Sequence, residues 1–591
     1  MVTQTINVDL PAAPEKLGLA LSGGGFRASF FHIGMLAQMA RQGLLRQVEV
    51  ISTVSGGTII GALYYIHIKK LLEALPDSEV TDQHYVEIVQ NIERDFLAAV
   101  ELNIRMLTFA NFKANWKMRR EDYSRSDYIS KLYNDLIYQS VLDNVSKPIQ
   151  MRELKIYPPG QPNFYPQHDN ASRQAKVPIL VINATTLNDG RNWRFTAQTM
   201  GERFPTGSDQ KPIRLIKADP SYAVIAANQQ CFSLGHAVGA SACVPALFPP
   251  LAISGLYRDG EEDIRLQLVD GGVHDNQGVR GLVDEQCTCF IVSDASGQMQ
   301  VESESATGAL PVLLRSNSIG QDRVRTEVLD RLFETQGGDR IAFMNLRQGL
   351  AIREIAWIGP NGQSVHPVKI NSATSLDFGV HPDVQTLLSK LRTDLDAFTE
   401  VEAYSLMLDG YFMSDKTLQN FREKALGLGA ATAAPLELGD SPWRFLQIAP
   451  WMKNPTPDYL KQLQVAGDTF FKALLLIPWL RAATIGLIVL ILVAFWPQIL
   501  ALLKSAVPVS ILALAALGLL VDRLLSRLAK TYPITKFLLA PWEALKRWIV
   551  RAALPVLGTP FINLYLKLIN PLVLKRGRLE ALKSRDPAQA G

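Results

Sequence analysis

Ser55 stands where a short apolar stretch meets two glycines. The residues before it are mostly apolar and β-branched, and Gly56, Gly57 and a run of small residues follow it. This order predicts a strand, a sharp turn and a helix, and such a turn presents one hydroxyl from a strained backbone. Thr53 occupies the position of the first glycine in the usual pattern Gly-x-Ser-x-Gly, and Gly57 supplies the second. Ser55 is therefore a candidate nucleophile for acyl transfer, and Ser52, inside the predicted strand, is the weaker alternative.

Asp270 is the candidate base for that serine. It follows an apolar stretch and precedes Gly271 and Gly272, so its carboxylate should lie at a strand end that other backbone can approach closely. A carboxylate whose pKa is raised by burial can take a proton from a serine hydroxyl. An ordinary turn is the alternative interpretation. Among the eight histidines, only His274 lies close to a stretch of catalytic character.

A glycine-rich turn earlier in the chain offers amide donors. Gly23, Gly24 and Gly25 come between a predicted strand and a predicted helix, so their N–H groups can point at an anion near the helix N-terminus. Arg27, just inside that helix, could bind a phosphate or a carboxylate. The spacing also fits a loose dinucleotide pattern, but Glu49, the candidate ribose ligand, precedes most of the second strand instead of ending it.

The elements that must position these residues alternate between strands and helices. Apolar runs predict strands at 17–21, 48–54, 177–183, 192–198, 251–256, 264–269 and 289–292, and other patterns predict helices at 28–42 and 235–243. This alternation predicts an α/β fold with a mostly parallel sheet. A helical insertion is expected at about 66–150.

Composition narrows the class of protein. The chain has 591 residues and a net charge of +4, which gives no support for a nucleic-acid partner. The four cysteines have the spacing of neither a disulfide framework nor a metal site, so we expect reduced thiols and no metal or cofactor. The N-terminus lacks the basic start and apolar core of a signal peptide, so we expect the catalytic region in the cytoplasm.

The C-terminal region indicates a membrane anchor. A stretch rich in Ala, Gly and Pro predicts a linker that we extend over 427–470. Two apolar stretches of about 22 and about 17 residues follow, and about 20 residues cross a bilayer. We expect a transmembrane helical hairpin over 471–530, with its outer ends in the cytoplasm beside the flanking basic residues.

Residues 531–591 form the last predicted unit. They mix Trp, Leu and Ile with Lys and Arg at helical spacing, which predicts an amphipathic interfacial tail on an anionic leaflet. A buried helical core or an oligomer interface is the alternative for this C-terminal region. Two helices that lie flat on the membrane are a further alternative to the hairpin.

Three motifs resemble those of the patatin-like phospholipase family when they are taken together. They are Ser22-Gly-Gly-Gly-Phe-Arg27 for the oxyanion, Val54-Ser55-Gly56-Gly57 for the nucleophile elbow, and Asp270-Gly271-Gly272 for the dyad. Two supporting blocks agree in order: Ile182 to Thr185 with Asp189 to Arg191, and Ala240-Ser241 followed by Pro245 and Phe248-Pro249. The resemblance covers about residues 15–425, and Thr53 departs from its pattern.

The resemblance implies a fold and an activity for residues 1–426. The fold would be a patatin-like three-layer α/β structure with a mostly parallel central sheet and helical insertions. The activity would be that of a serine lipid acyl hydrolase, of the phospholipase A or lysophospholipase type, on glycerophospholipids of the membrane. A lipid acyltransferase with the same acyl-enzyme and a catalytically inactive membrane scaffold are the alternatives. Oligomeric state is not predicted.

The same resemblance assigns roles to individual residues. Ser55 would attack the ester carbonyl, and Asp270 would take its proton. The amides of the Gly23–Gly25 turn would hold the oxyanion, and Arg27 would orient the head group or assist that turn. Glycines in both catalytic motifs would support their shape: Gly57, Gly271 and Gly272.

Overall fold

The computed structural model describes most of the chain. The described residues are 15–118, 120, 123–142, 147–202, 219–297, 299, 302–350, 355–365, 378–429, 442–468, 472–494, 496 and 554–589. A nine-stranded sheet runs through them, with helices packed on both of its faces. This is the expected three-layer α/β fold.

The strands are short and close to the predicted apolar runs. They are β1 (Leu17–Leu21), β2 (Val48–Val54), β3 (Ile179–Thr186), β4 (Asn192–Phe195), β5 (Met200–Gly201), β6 (Leu251–Asp259), β7 (Glu262–Asp270), β8 (Cys289–Asp294) and β9 (Ile341–Asn345). A separate two-stranded sheet pairs β10 (Trp357–Ile358) with β11 (Ser364–Val365).

The sheet has a parallel centre and an antiparallel side. The order is β5-β4-β3-β2-β1-β8-β9, and the strands from β3 to β9 in this order are parallel. Strand β7 pairs antiparallel with the end of β3, where Asp270 lies opposite Ala184. The carboxyl ends of β1, β2 and β8 therefore meet Asp270 at one edge, where open α/β sheets bind ligands.

The helices are the second set of elements. They are α1 (Gly25–Arg41), α2 (Gly56–Ala74), α3 (Asp82–Glu101), α4 (Ile104–Ala110), α5 (Phe112–Lys117), α6 (Arg125–Tyr133), α7 (Pro166–Asp169), α8 (Leu234–Ser241), α9 (Gly272–Asp275), α10 (Val279–Asp284), α11 (Ala309–Gln336), α12 (Pro382–Leu388), α13 (Glu400–Lys424), α14 (Ala449–Lys453), α15 (Pro457–Ala466), α16 (Lys472–Leu476), α17 (Pro478–Ala494), α18 (Leu554–Leu564), α19 (Asn570–Arg576) and α20 (Leu579–Arg585). Single π turns occur at Asn134–Tyr138 and Tyr565–Ile569, and 3₁₀ turns at Leu45–Gln47, Asp77–Glu79, Met151–Leu154, Asn170–Ser172, Gly338–Arg340, Arg444–Ile448 and Pro587–Gln589.

Alternate strand residues pack into two separate apolar cores, because successive side chains point to opposite faces of a sheet. Leu19, Ile51 and Ile182 face the larger core with α1, α2, α8 and α13. Ala20, Val50 and Val181 face a smaller core with α10 and α11. The long apolar helices α1 and α2 thereby hold the turns that precede them against the sheet.

The linker prediction is wrong for residues 443–466. These residues form a 3₁₀ turn and the helices α14 and α15, and Trp443, Phe445, Trp451 and Tyr459 are buried in the main core. Apolar side chains spaced several residues apart favour buried helices here, although a Gly- and Pro-rich stretch precedes them. Residues 430–441 of the predicted linker lie outside the described residues.

The predicted transmembrane hairpin is described only in part. Helix α17 covers Pro478–Ala494, and Ile485, Val489 and Val493 are exposed on it. The rest of the hairpin lies outside the described residues, apart from residue 496 and α16. One described helix is long and apolar enough to cross a membrane, Val556–Arg576, with a mean hydropathy of 1.3 and 17% of the window buried.

The tail beyond that helix packs on the rest of the protein. Leu579 and Leu582 belong to the main core. Arg578 donates hydrogen bonds to Glu400 at 2.6 Å and Glu101 at 2.8 Å. The amphipathic tail therefore has a described part, 554–589, that contacts the catalytic region, and its membrane contact stays a prediction.

Candidate active site

Ser55 lies in a strained turn between β2 and α2. Its φ of 51° and ψ of −118° are unusual for a residue with a side chain, and its hydroxyl does not cap the helix. A Cβ on Gly56 would lie 2.0 Å from the Gly25 carbonyl oxygen, and one on Gly57 would lie 2.3 Å from the Leu21 carbonyl oxygen. Only glycine therefore lets this helix start against the first strand and turn.

Asp270 is the carboxylate next to the Ser55 hydroxyl. It ends β7 and is 6% exposed. Its carboxylate accepts the N–H of Gly272 at 2.7 Å. Burial raises the pKa of Asp270 to about 6, although the Ser55 hydroxyl and the Gly272 N–H oppose the rise. A carboxylate with this pKa can accept a proton near neutral pH and release it again.

Helix α8 forms hydrogen bonds with the backbone at Ser55 and directly after Asp270. The Ser241 hydroxyl accepts the N–H of Ser55 at 3.0 Å and lies 2.7 Å from the Thr58 hydroxyl. The Ser241 carbonyl accepts the N–H of Gly271 at 3.2 Å. Ser241 belongs to a motif block identified in the sequence, but its role could not be assigned because the sequence does not show which backbone it meets.

The glycine turn lies beside Ser55 and differs from expectation at its first residue. The N–H of Gly23 is already donated to the Asn276 carbonyl at 3.0 Å. Gly24 (φ 140°) and Gly25 (φ 59°) follow, and a Cβ on Gly25 would lie 2.6 Å from the carbonyl oxygen of Asp394. Within the described part of the chain, the N–H groups of Gly24 and Gly25 make no hydrogen bond. These two amides, and not the Gly23 amide, are placed to receive an oxyanion.

Asn276 is a site residue that sequence reasoning missed. A Cβ on Gly23 would lie 2.4 Å from the Asn276 Oδ1 atom and 3.1 Å from the Ser55 Cβ atom, so the amide and the serine are neighbours. A Cβ on Gly272 would also lie 2.4 Å from Asn276 Oδ1. The signal in the sequence was its position six residues after Asp270, directly after the short helix α9.

Arg27 does not face the site. Its side chain is buried, and its guanidinium donates to the Leu391 carbonyl at 2.7 Å and to the Ala295 carbonyl at 2.9 Å. Burial lowers the pKa of Arg27 to about 10, and Asp294 partly opposes this. Arg27 ties α1 to two distant segments, which agrees with support of the glycine turn and not with contact to a head group.

The alternative residues are placed elsewhere. The Ser52 hydroxyl donates to the Gly278 carbonyl at 2.6 Å and is fully buried inside β2. His32 is buried between Ser293 and Ser22, and burial lowers its pKa to about 4. Glu49 lies at the start of β2, at the opposite end of the strand from the glycine turn, which excludes it as a ribose ligand.

His274 is partly buried in α9, and desolvation lowers its pKa. It borders a cavity of about 500 Å³ that is lined in part by Leu187, Val273, Val324 and Val328. This cavity adjoins the turn that follows Asp270. A second cavity of about 430 Å³, beside Ile179 and Arg194, lies at the far end of the strands from Ser55.

No group of three His, Cys, Asp or Glu side chains among the described residues is placed to hold a metal ion. The four cysteines are free. The groups that the described site offers are a hydroxyl nucleophile, a carboxylate base and two backbone amides.

Comparison with known proteins finds one family model and several solved structures. A family model described as Patatin-like phospholipase matches residues 19–283. No curated protein matches the chain. Among solved structures, VipD from Legionella pneumophila is 15% identical, with 70% of this chain and 68% of that chain covered and a TM-score of 0.25.

Human GIVD cytosolic phospholipase A2, in complex with methyl gamma-linolenyl fluorophosphonate and terbium chloride, is another solved structure in the comparison. It is 15% identical, with 69% of this chain and 59% of that chain covered and a TM-score of 0.35. The chain thus spans about three-fifths of that phospholipase. The assignment rests on the family model, which includes Ser55 and Asp270: the chain contains a patatin-like phospholipase domain at residues 19–283.

Proposed function

We propose that the chain is a serine lipid acyl hydrolase, of the phospholipase A or lysophospholipase type, that uses a Ser55–Asp270 dyad. One observation carries the proposal: the hydroxyl of a strained, nearly buried serine lies next to a buried carboxylate whose pKa is raised to about 6. The family model supports the substrate class, since its members act on lipid esters.

The reaction follows from the positions of four groups. The Ser55 Oγ atom attacks the ester carbonyl as its proton passes to Asp270. The oxyanion is held by the amides of Gly24 and Gly25 at the N-terminus of α1, whose dipole favours negative charge. Asp270 then protonates the departing alcohol, and an acyl-enzyme remains. Water, deprotonated by Asp270, releases the fatty acid.

We assign the substrate's acyl chain to the cavity of about 500 Å³ next to the Asp270 turn. Leu187, Val273, Val324 and Val328 give this cavity its apolar lining. Polar side chains also line it: Thr185, Thr186, His274, Asp275 and Arg280. The four apolar side chains are the part of the lining that suits a hydrophobic ligand.

Fatty-acid release from phospholipid vesicles tests the proposal. Ser55→Ala and Asp270→Asn should each lower the rate by about 10³-fold or more, since the dyad members act as one unit. Ser52→Ala is the matched control: it should lower the melting temperature, because Ser52 is hydrogen-bonded inside β2, and retain the activity. Release at the wild-type rate from either dyad variant overturns the proposal.

The same assay separates the two alternatives. An acyltransferase would give more acylated acceptor than free fatty acid when a lipid alcohol is added. An inactive scaffold would give neither product from the wild-type chain.

We further propose that the chain is anchored in a membrane with the catalytic domain in the cytoplasm. The support is helix α18, where Leu557, Phe561 and Leu564 lie on one exposed face with exposed fractions of 73%, 75% and 56%, together with the apolar stretches that precede it in the sequence. Extraction of membranes at alkaline pH should leave the chain in the pellet. Its release by alkali or by high salt would contradict an inserted anchor.

A further inference from the structure

A polar cavity lies beside the glycine turn. Because Arg27 is buried, the lipid head group has no assigned binding partner at this turn. The cavity has a volume of about 410 Å³ and lies between α11 and the residues that follow α9. Asn276 forms its edge, and the same Asn276 side chain is the neighbour of Gly23 and Ser55. The cavity and the turn that holds Ser55 therefore share the Asn276 side chain as a neighbour.

Charges of both signs line the cavity. Arg315 pairs with Glu302 at 3.0 Å, and Arg325 pairs with the buried Asp294 at 2.7 Å. Asp322 adds another carboxylate. A guanidinium has five N–H groups in a planar fork, so it can bind a phosphate while it keeps a carboxylate partner. The lining therefore matches a ligand that carries a negative and a positive charge.

Gln277 gives a second and independent indication of a ligand. Its side chain is fully buried and lines the cavity. Its Nε2 group lies 3.4 Å from Asp294, but its Oε1 atom has no hydrogen-bond partner among the described residues. A buried carbonyl oxygen is costly to leave unpaired, and this one belongs to a residue of the cavity lining.

We propose that the cavity binds the phosphoethanolamine head group of the lipid substrate. The phosphate lies against Arg315 and Arg325, and the ammonium lies against the carboxylates of the cavity and Gln277 Oε1. A choline head group has no N–H to donate to Gln277, and a phosphoglycerol head group has no cation for Glu302 and Asp322. The inference rests on the proposed function only in placing the ester at Ser55.

Direct binding tests the site without the reaction. The full-length Ser55→Ala chain in neutral detergent is titrated in a calorimeter with glycerophosphoethanolamine, glycerophosphocholine and glycerophosphoglycerol. We expect the first to bind about tenfold more tightly than the other two. Arg315→Gln should weaken that binding about tenfold, as the loss of one charge-assisted hydrogen bond would.

Arg323→Gln is the matched control, because Arg323 lies on the same helix with 77% of its side chain exposed and is paired with Glu327. It should bind like the parent chain. Glu302→Gln is the second variant, and it should reduce the preference over glycerophosphoglycerol. Absence of binding, equal binding of the three probes, or equal effects of Arg315→Gln and Arg323→Gln would overturn the proposal. Since the chain titrated lacks the serine, a failure of the hydrolase assay leaves this result readable.

Discussion

Asp270 sets the pH at which Ser55 can react. Burial raises its pKa to about 6, and a carboxylate is a base only when it is ionised. We therefore expect kcat/KM to rise about tenfold per pH unit below pH 6 and to level off above it. Initial rates on a soluble short-chain ester between pH 4.5 and 8, with the fold checked by circular dichroism at each pH, give the profile. A flat profile through pH 6 would contradict Asp270 as the base.

Thr53 is tolerated in the elbow because Gly61 of α2 makes room for it. A Cβ on Gly61 would lie 2.5 Å from the Thr53 Cγ2 atom. Overpacking in Gly61→Ala should therefore lower the free energy of unfolding by about 1–3 kcal/mol. Replacing a helical glycine offsets about 1 kcal/mol of that loss. Thr53→Ser removes the methyl group and keeps the hydroxyl that donates to the Val181 carbonyl at 3.2 Å.

The test is whether the effects of Gly61→Ala and Thr53→Ser on the free energy of unfolding depend on each other. Gly61→Ala should cost less in the Thr53→Ser background than in the wild-type chain, as denaturant unfolding of all four chains would show. Strictly additive free energies of unfolding would mean that the contact is not the reason why glycine occupies position 61.

Residues marked by a local glycine pattern could be predicted from the sequence. The glycines that follow Ser55 and Asp270 indicate turns that other backbone approaches closely, even though the approaching residues are remote in the sequence. Of the two roles expected for Arg27, support of the glycine turn agrees with its bond to the Leu391 carbonyl, and the Gly23 N–H is already bonded to the Asn276 carbonyl. Neither bond could be predicted, because both partners are remote in the sequence.

At the scale of elements, α8 positions the nucleophile and the base together through its last residue. Ser241→Ala removes the acceptor for the Ser55 N–H, so the strained turn can relax. We expect kcat to fall about 10- to 100-fold with KM little changed, the effect of misplacing a catalytic group. Steady-state kinetics on the soluble ester measures both constants.

Ser233 at the other end of α8 is the control for that variant. Its side chain accepts the N–H of His236 as the helix cap, so Ser233→Ala should lower stability by about 1 kcal/mol and leave kcat unchanged. Equal losses of kcat in Ser241→Ala and Ser233→Ala would mean that α8 acts only through general stability.

Strands were easier to predict than the connections between helices. Runs such as Leu17–Leu21 are buried on both faces, so they are continuously apolar and visible in the sequence. The sequence predicts a linker at residues 443–466 because they follow a Gly- and Pro-rich stretch. Their burial depends on packing against α13, a contact that the sequence alone does not show.

At the scale of the whole molecule, the C-terminal residues are part of the catalytic body. Leu582 is fully buried in the main core, whereas Leu557 on α18 is 73% exposed. Leu582→Ala should cost about 2–5 kcal/mol of stability. Leu557→Ala should change it by less than about 0.5 kcal/mol. Equal melting temperatures for the two variants, measured in the same detergent, would contradict the packing of the tail on the domain.

Covalent labelling by a fluorophosphonate is the most direct test of the Ser55–Asp270 dyad, because it requires a nucleophile that has lost its proton to a base. We expect one phosphonyl group per chain, on the peptide that contains Ser55. Labelling should be at least about 100-fold slower in Asp270→Asn and unchanged in Ser52→Ala. A label on another serine, or labelling of Asp270→Asn at the wild-type rate, would contradict the Ser55–Asp270 dyad.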